Sequence, residues 1–201
     1  MSPTHRRRAP RTHPPRRAPA LVAVLLLALT LSACTNDTGD DTMKTANDTL
    51  VCGLLSPSLV HEVVPAGSVG TRGEGITSAA QRQQEPAACT VQDTSSSTTK
   101  IQVSVGEVPD PAAWRSKLLA EAKTASSVSR TYDGDPGVGY GSTYDSGVYV
   151  DGASVYVVRD DRLIRATVYH WASATPEERL ALAEKMVLDL DRNVTEHDRA
   201  E

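Results

Sequence analysis

Apolar and polar positions in the C-terminal half of the chain repeat with two different periods. In "TPEERLALAEKMVLDLDRNV", Leu180, Ala183, Val187, Leu190 and Val194 recur at steps of three and four, the stripe of an amphipathic helix. Thr175 and Glu178 bracket Pro176 as a capping box at its start. Upstream, "SGVYVDGASVYVVRDDRLIRATVYH" alternates every second residue. That pattern predicts three antiparallel strands joined by two-residue turns at Asp151-Gly152 and Asp160-Asp161. In this register Val148 faces Val155, Val157 faces Ile164, and Val155 faces Ala166. One face is then Val148, Val150, Val155, Val157, Ile164, Ala166 and Val168. The other carries Tyr149, Tyr156, Val158, Leu163, Arg165, Thr167 and Tyr169, with Tyr156 directly opposite Arg165.

The same two periods organise the first half of the domain. "LSPSLVHEVV" predicts a short helix with Ser56 as N-cap, Pro57 at the first helical position, and Leu59, Val60 and Val63 on one side. Pro65 ends it. The glycine-bearing stretch 66–86 reads as a loop or irregular edge. "AACTVQDTS" and "TTKIQVSVGEV" read as strands, the second alternating Ile101, Val103 and Val105 with polar or small residues. "DPAAWRSKLLAEAKTA" reads as a helix capped by Asp110, with Trp114, Leu118 and Ala122 on one face. Trp114 is expected as a core anchor. The predicted order is α-β-β-α-β-β-β-α. This is an α+β domain over residues 49–195, a mainly antiparallel sheet with three packed helices, followed by a frayed polar tail, 196–201.

The N-terminus follows different rules. Residues 1–20 contain six arginines and five prolines, which rules out a continuous helix. Leu21 to Leu31 is apolar except for Thr30. Eleven residues are too few to cross about 30 Å of hydrocarbon at 1.5 Å each, but they suit the apolar part of an export signal. The run ends in "L-S-A-C", which resembles the bacterial lipobox. The resemblance implies that residues 1–33 are a cleaved lipoprotein signal peptide, cut between Ala33 and Cys34, with the Cys34 thiol lipidated. The arginine pairs are compatible with twin-arginine export, although the residues after Arg17 match that motif poorly. Two acyl chains give stable anchoring where one does not. The polar stretch 35–48 cannot bury enough surface to fold. It reads as a flexible tether with a root-mean-square span of roughly 20 Å.

This boundary changes the reading of charge and of cysteine. Six of the 21 basic residues precede Cys34, whereas all 25 acidic residues follow it. The part from Cys34 onward therefore carries a net charge of −10, which disfavours nucleic acid and anionic lipid as partners. Three cysteines are an odd number for an exported chain. With Cys34 assigned to lipid, Cys52 and Cys89 can form a disulfide in an oxidising compartment; a reactive thiol or a metal site are the alternatives. No CxxC is present, and no histidine lies at ligand spacing from either cysteine.

The lipobox and tether, then "CGLLSPSLVHEVV", "ACTVQD" and "GDPGVGYGSTY", together resemble a family of actinobacterial lipoproteins of unknown function. Related exported domains are similar to the PsbP-like α/β sandwich. The resemblance spans most of residues 50–192. It implies a Cys52–Cys89 disulfide and brings no catalytic residues.

Motifs for chemistry are sparse. "GDPGVGYGS" lacks the Lys-Ser/Thr of a phosphate loop and reads as a glycine-rich lead-in to the meander. His61, His170 and His197 fall in no zinc spacing, and no GxSxG elbow occurs. No metal and no cofactor is implied. The remaining candidate is a binding face of Tyr149, Tyr156, Arg165 and Tyr169, since tyrosine and arginine are enriched on recognition surfaces. The expectation is a non-catalytic binding or accessory module, lipid-anchored at the extracytoplasmic face of the cytoplasmic membrane. Its partners would be the membrane, through the anchor, and an envelope protein or small ligand. A cell-envelope hydrolase with a site assembled only by the fold, and a structural envelope protein, are the rival readings.

Overall fold

The computed structural model describes residues 50–73, 75–125, 127–145 and 151–201. Ala33, Cys34, the tether, and Val148, Tyr149 and Val150 of the anticipated meander lie outside these residues. Helix α1 (Pro57–His61) is followed by a 3-10 turn (Ala66–Ser68), strand β1 (Val69–Gly73) and helix α2 (Ala79–Arg82). Strands β2 (Ala87–Asp93) and β3 (Thr98–Glu107) lead into helix α3 (Pro111–Thr124). Strands β4 (Val128–Gly134), β5 (Gly137–Asp145), β6 (Asp151–Arg159) and β7 (Arg162–Tyr169) precede helix α4 (Pro176–Ala200). All described strands form one antiparallel sheet in the order β1-β2-β3-β7-β6-β5-β4. The α+β class and the mainly antiparallel sheet are as expected. The count is not, because among the described residues seven strands and four α-helices stand where five strands and three helices were anticipated. Among the described residues no helix is long and apolar enough to cross a membrane.

The two periods place the core. Val155, Val157, Ile164, Ala166 and Val168 are buried on one face of the sheet, against Leu180, Ala183, Val187, Leu190 and Val194 of α4. Ile101, Val103 and Val105 extend that face into β3. The helix starts as its sequence predicts: the Thr175 hydroxyl accepts from the Glu178 amide at 3.2 Å, and Glu178 accepts from the Thr175 amide at 2.7 Å. Helix α3 lies on the opposite face. Leu118 packs there with Val108 and Val158, while Trp114 is only half-buried against that smaller cluster. Trp114 therefore does not anchor the main core.

Four local expectations need correction. Asp151-Gly152 is not a turn but the start of β6, pairing with Asp145 and Tyr144. Val155 therefore faces Gly141, not Val148, on that side. A Cβ on Gly152 would come within 2.6 Å of the Tyr144 ring, so this glycine serves a close approach rather than a turn. The Asp160-Asp161 turn and the β6–β7 register are as read, with Val157 opposite Ile164 and Tyr156 opposite Arg165. Second, "GDPGVGYGS" is no lead-in: Gly134 pairs with Gly137 across Asp135-Pro136, a cis peptide, and the glycine-rich residues are β5. Third, Ser56 heads α1 but its hydroxyl does not cap it. The Ser56 amide and hydroxyl instead donate to the buried Asp189 carboxylate of α4 at 2.7 and 2.8 Å.

Fourth, residues 196–201 are not a frayed tail, because α4 continues to Ala200. The Asp198 carboxylate accepts two hydrogen bonds at 2.7 Å from the fully buried Arg82 guanidinium of α2. Arg82 also donates to Glu107 of β3 at 2.9 Å and to the Thr77 carbonyl. Arg162 donates to Asp198 at 2.9 Å and to Asp191 at 3.2 Å, and Arg159 pairs with Asp191 and Asp135 at 2.8 and 2.6 Å. These charges tie α2, β3, β6, β7 and α4 together at one end of the sheet. Cys52 and Cys89 form a disulfide with their Cα atoms 6.0 Å apart.

Candidate ligand groove on the α3 face

Residues opposite one another in a sheet share a face, so the register alone assembles a row from four strands. Ser104 pairs with Arg165, Arg165 with Tyr156, and Tyr156 with Tyr140. The row runs across the face that carries α3. The helix covers only part of it, and beside the helix lies an open groove of about 610 Å³. Ser104, Arg165, Tyr156 and Tyr140 line the groove together with Leu163, and Trp114 and Leu118 line it from α3. Arg82, Glu107 and Glu121 also line it. Its volume lies within the range of small-molecule sites, about 300–1,000 Å³.

The rings are organised among themselves. Tyr140 and Tyr156 stack with centroids 5.4 Å apart, and the Arg165 guanidinium lies 5.0 Å from the Tyr156 centroid. Both contacts follow from cross-strand pairing, which brings facing side chains within reach. On α3, the Lys117 ammonium lies 4.3 Å from the Trp114 ring. Burial, reinforced by the nearby Glu121 carboxylate, raises the Tyr140 phenol pKa above its usual value. Tyr140 therefore presents a neutral hydroxyl and a ring at neutral pH.

Of the four residues anticipated as a binding face, the structure brings two together. Tyr156 and Arg165 share the groove floor. Tyr169 does not line the groove; it donates to Gln102 at 2.8 Å and meets Tyr144 edge-on at 6.4 Å. Tyr149 lies outside the described residues. Ser104, Tyr140 and Trp114 were not anticipated. Tyr140 had a usable signal, since Val138, Tyr140 and Ser142 alternate with glycines. Ser104 and Trp114 come from elements distant in sequence, and no local pattern points to them. Beside the row on the same face, Ser154 and Thr167 are buried and bond each other at 2.9 Å, and Arg165 Nε donates to Thr167 at 3.3 Å. The guanidinium is thus held at Nε, and the residue lines the groove.

Among the described residues no group of three or more His, Cys, Asp or Glu side chains is placed to hold a metal ion. Compared with known proteins, the chain matches no family model, no curated protein and no solved structure.

Proposed function

We propose that this chain is an exported, lipid-anchored binding module at the outer face of the cytoplasmic membrane, and that the α3-face groove is its ligand site. The observation that carries the binding part is the row Ser104–Arg165–Tyr156–Tyr140 beneath Trp114. It joins large, stiff rings to one guanidinium inside a concavity of about 610 Å³. Arginine holds its charge at any physiological pH, so it supplies affinity and orientation rather than proton transfer. That favours recognition over catalysis. The anchor part rests on "LSAC" after a basic segment and an 11-residue apolar run. The resemblance to actinobacterial lipoproteins, and to the PsbP-like sandwich, points the same way.

Two measurements test the two parts separately. Mass spectrometry of the mature N-terminus should find a diacylated Cys34 as residue one; an unmodified cysteine or cleavage elsewhere would refute the anchor. Nile red, an uncharged dye that brightens in apolar sites, should bind the purified full-length protein. Its signal should fall at least fivefold in Trp114→Ala. A signal unchanged by that substitution removes the groove as the binding site.

A further inference from the structure

Among the partly or fully buried arginines of the described residues, Arg165 and Arg115 have no carboxylate within 4.0 Å; Arg115 donates to the Asp160 carbonyl at 2.9 Å and does not line the groove. Arg82, Arg159, Arg162 and Arg179 each have a carboxylate within 4.0 Å. Arg165 is half-buried and, among the described residues, has no carboxylate partner; its polar contact is the single Nε bond to Thr167. The two acids that line the groove face other cations. Glu107 is engaged by Arg82 at 2.9 Å and Arg162 at 3.6 Å, and Glu121 lies 4.0 Å from Lys117. A half-buried cation on the face of an acidic domain, lining an open groove with no carboxylate paired to it, is a preformed anion site.

The surroundings narrow the anion. A guanidinium edge matches a planar carboxylate through two parallel N–H···O bonds, and the Ser104 hydroxyl occupies the adjoining register position. There is one such cation, and Glu107 and Glu121 line the same groove. A second negative charge on the ligand would therefore be repelled. The rest of the lining, Trp114, Leu118, Tyr140 and Leu163, is apolar or aromatic, and a carboxylate alone would fill little of the space. We propose that the groove binds an amphipathic monocarboxylate, with its carboxylate on the Arg165 guanidinium and its apolar body along the Trp114–Tyr140–Leu163 side. This rests on the reading of the groove as a ligand site and specifies what enters it.

The test uses the full-length protein and a matched pair of probes, 1-naphthylacetate and its neutral amide, titrated calorimetrically. The acid should bind at least tenfold more tightly than the amide. Arg165→Gln should erase that preference while leaving weak binding of both probes. Arg165→Lys keeps the charge but loses the paired geometry, and should retain a preference reduced several-fold. Equal affinity for acid and amide in the unsubstituted protein overturns the proposal, as does a preference that survives Arg165→Gln. If neither probe binds while Nile red still reports on Trp114, the carboxylate assignment fails and the groove reading stands. If Nile red binding is also indifferent to Trp114→Ala, both fail together.

Discussion

Single side chains in this protein do work at a distance from their own element, and tyrosine shows it most clearly. Tyr132 of β4 is 5% exposed, and its hydroxyl donates to Glu184 of α4 at 2.6 Å. Burial and that carboxylate both raise its pKa well above the usual phenol range. Burial also pushes Tyr144 up to about 12. A phenol whose folded pKa exceeds its unfolded value of about 10 holds its proton more tightly when folded. Its contribution to stability is complete below pH 10 and is lost as pH rises through the folded value. Urea midpoints should therefore hold steady from pH 8 to 9.5 and decline from pH 10 to 12. The decline should be shallower in Tyr132→Phe and Tyr144→Phe. At pH 8, Tyr132→Phe should cost roughly 1.5–3 kcal/mol, the range for a hydrogen bond to a charged group. A decline of equal steepness in all three proteins would remove the phenols as its cause.

At the scale of elements, the disulfide and the glycine-rich strand explain what the sequence reveals and what it hides. Cys52 and Cys89 close a loop of 37 residues that contains α1, β1 and α2, three short elements with few buried residues of their own. The chain-entropy relation gives up to about 4 kcal/mol for a loop of this size. Cys52→Ala/Cys89→Ala should lose that order of stability in denaturant. Hydrogen exchange in that variant should rise first in residues 50–86, before β6 and β7. Uniform acceleration across the sheet would count against a local staple. Where a segment is buried on one face, its period is readable: β3, β6, β7 and α4 were all legible for that reason, and so was Tyr156 opposite Arg165. In β5 the positions facing α4 include Gly139 and Gly141. A Cβ at Gly141 would lie 2.5 Å from the Tyr132 hydroxyl and 2.7 Å from Leu180. Glycine is needed there so that Tyr132 can cross its neighbour strand to reach α4, and that requirement deletes the apolar half of the alternation. The strand looked like a loop because its core-facing side chains belong to other elements. Part of the groove has no local signal at all, since Ser104 and Trp114 reach it through long-range pairing and packing.

On the scale of the whole molecule, the charges at the end of α4 close the structure. Arg82 is fully buried, and its two carboxylates come from β3 and from Asp198. Removing one partner of a buried ion pair typically costs about 3–5 kcal/mol. Asp198→Ala, or a chain ending at Val194, should lower stability by that order in a urea titration. A frayed tail would allow either change at no cost, so a neutral result would remove the network from the account of stability. The sheet has a matching asymmetry. Strands β1–β3 form one antiparallel group and β4–β7 another, and they join only where β3 pairs with β7. The fourth strand across the sheet is thus the last one in sequence, and one of the two carboxylates paired with Arg82 lies 116 positions after that arginine. A growing chain cannot complete this domain early: its sheet remains in two unjoined parts until β7 has been made, and Arg82 lacks one of its two carboxylates until Asp198 follows. Closure of this fold therefore depends on its late elements, β7 and α4, rather than on the elements made first.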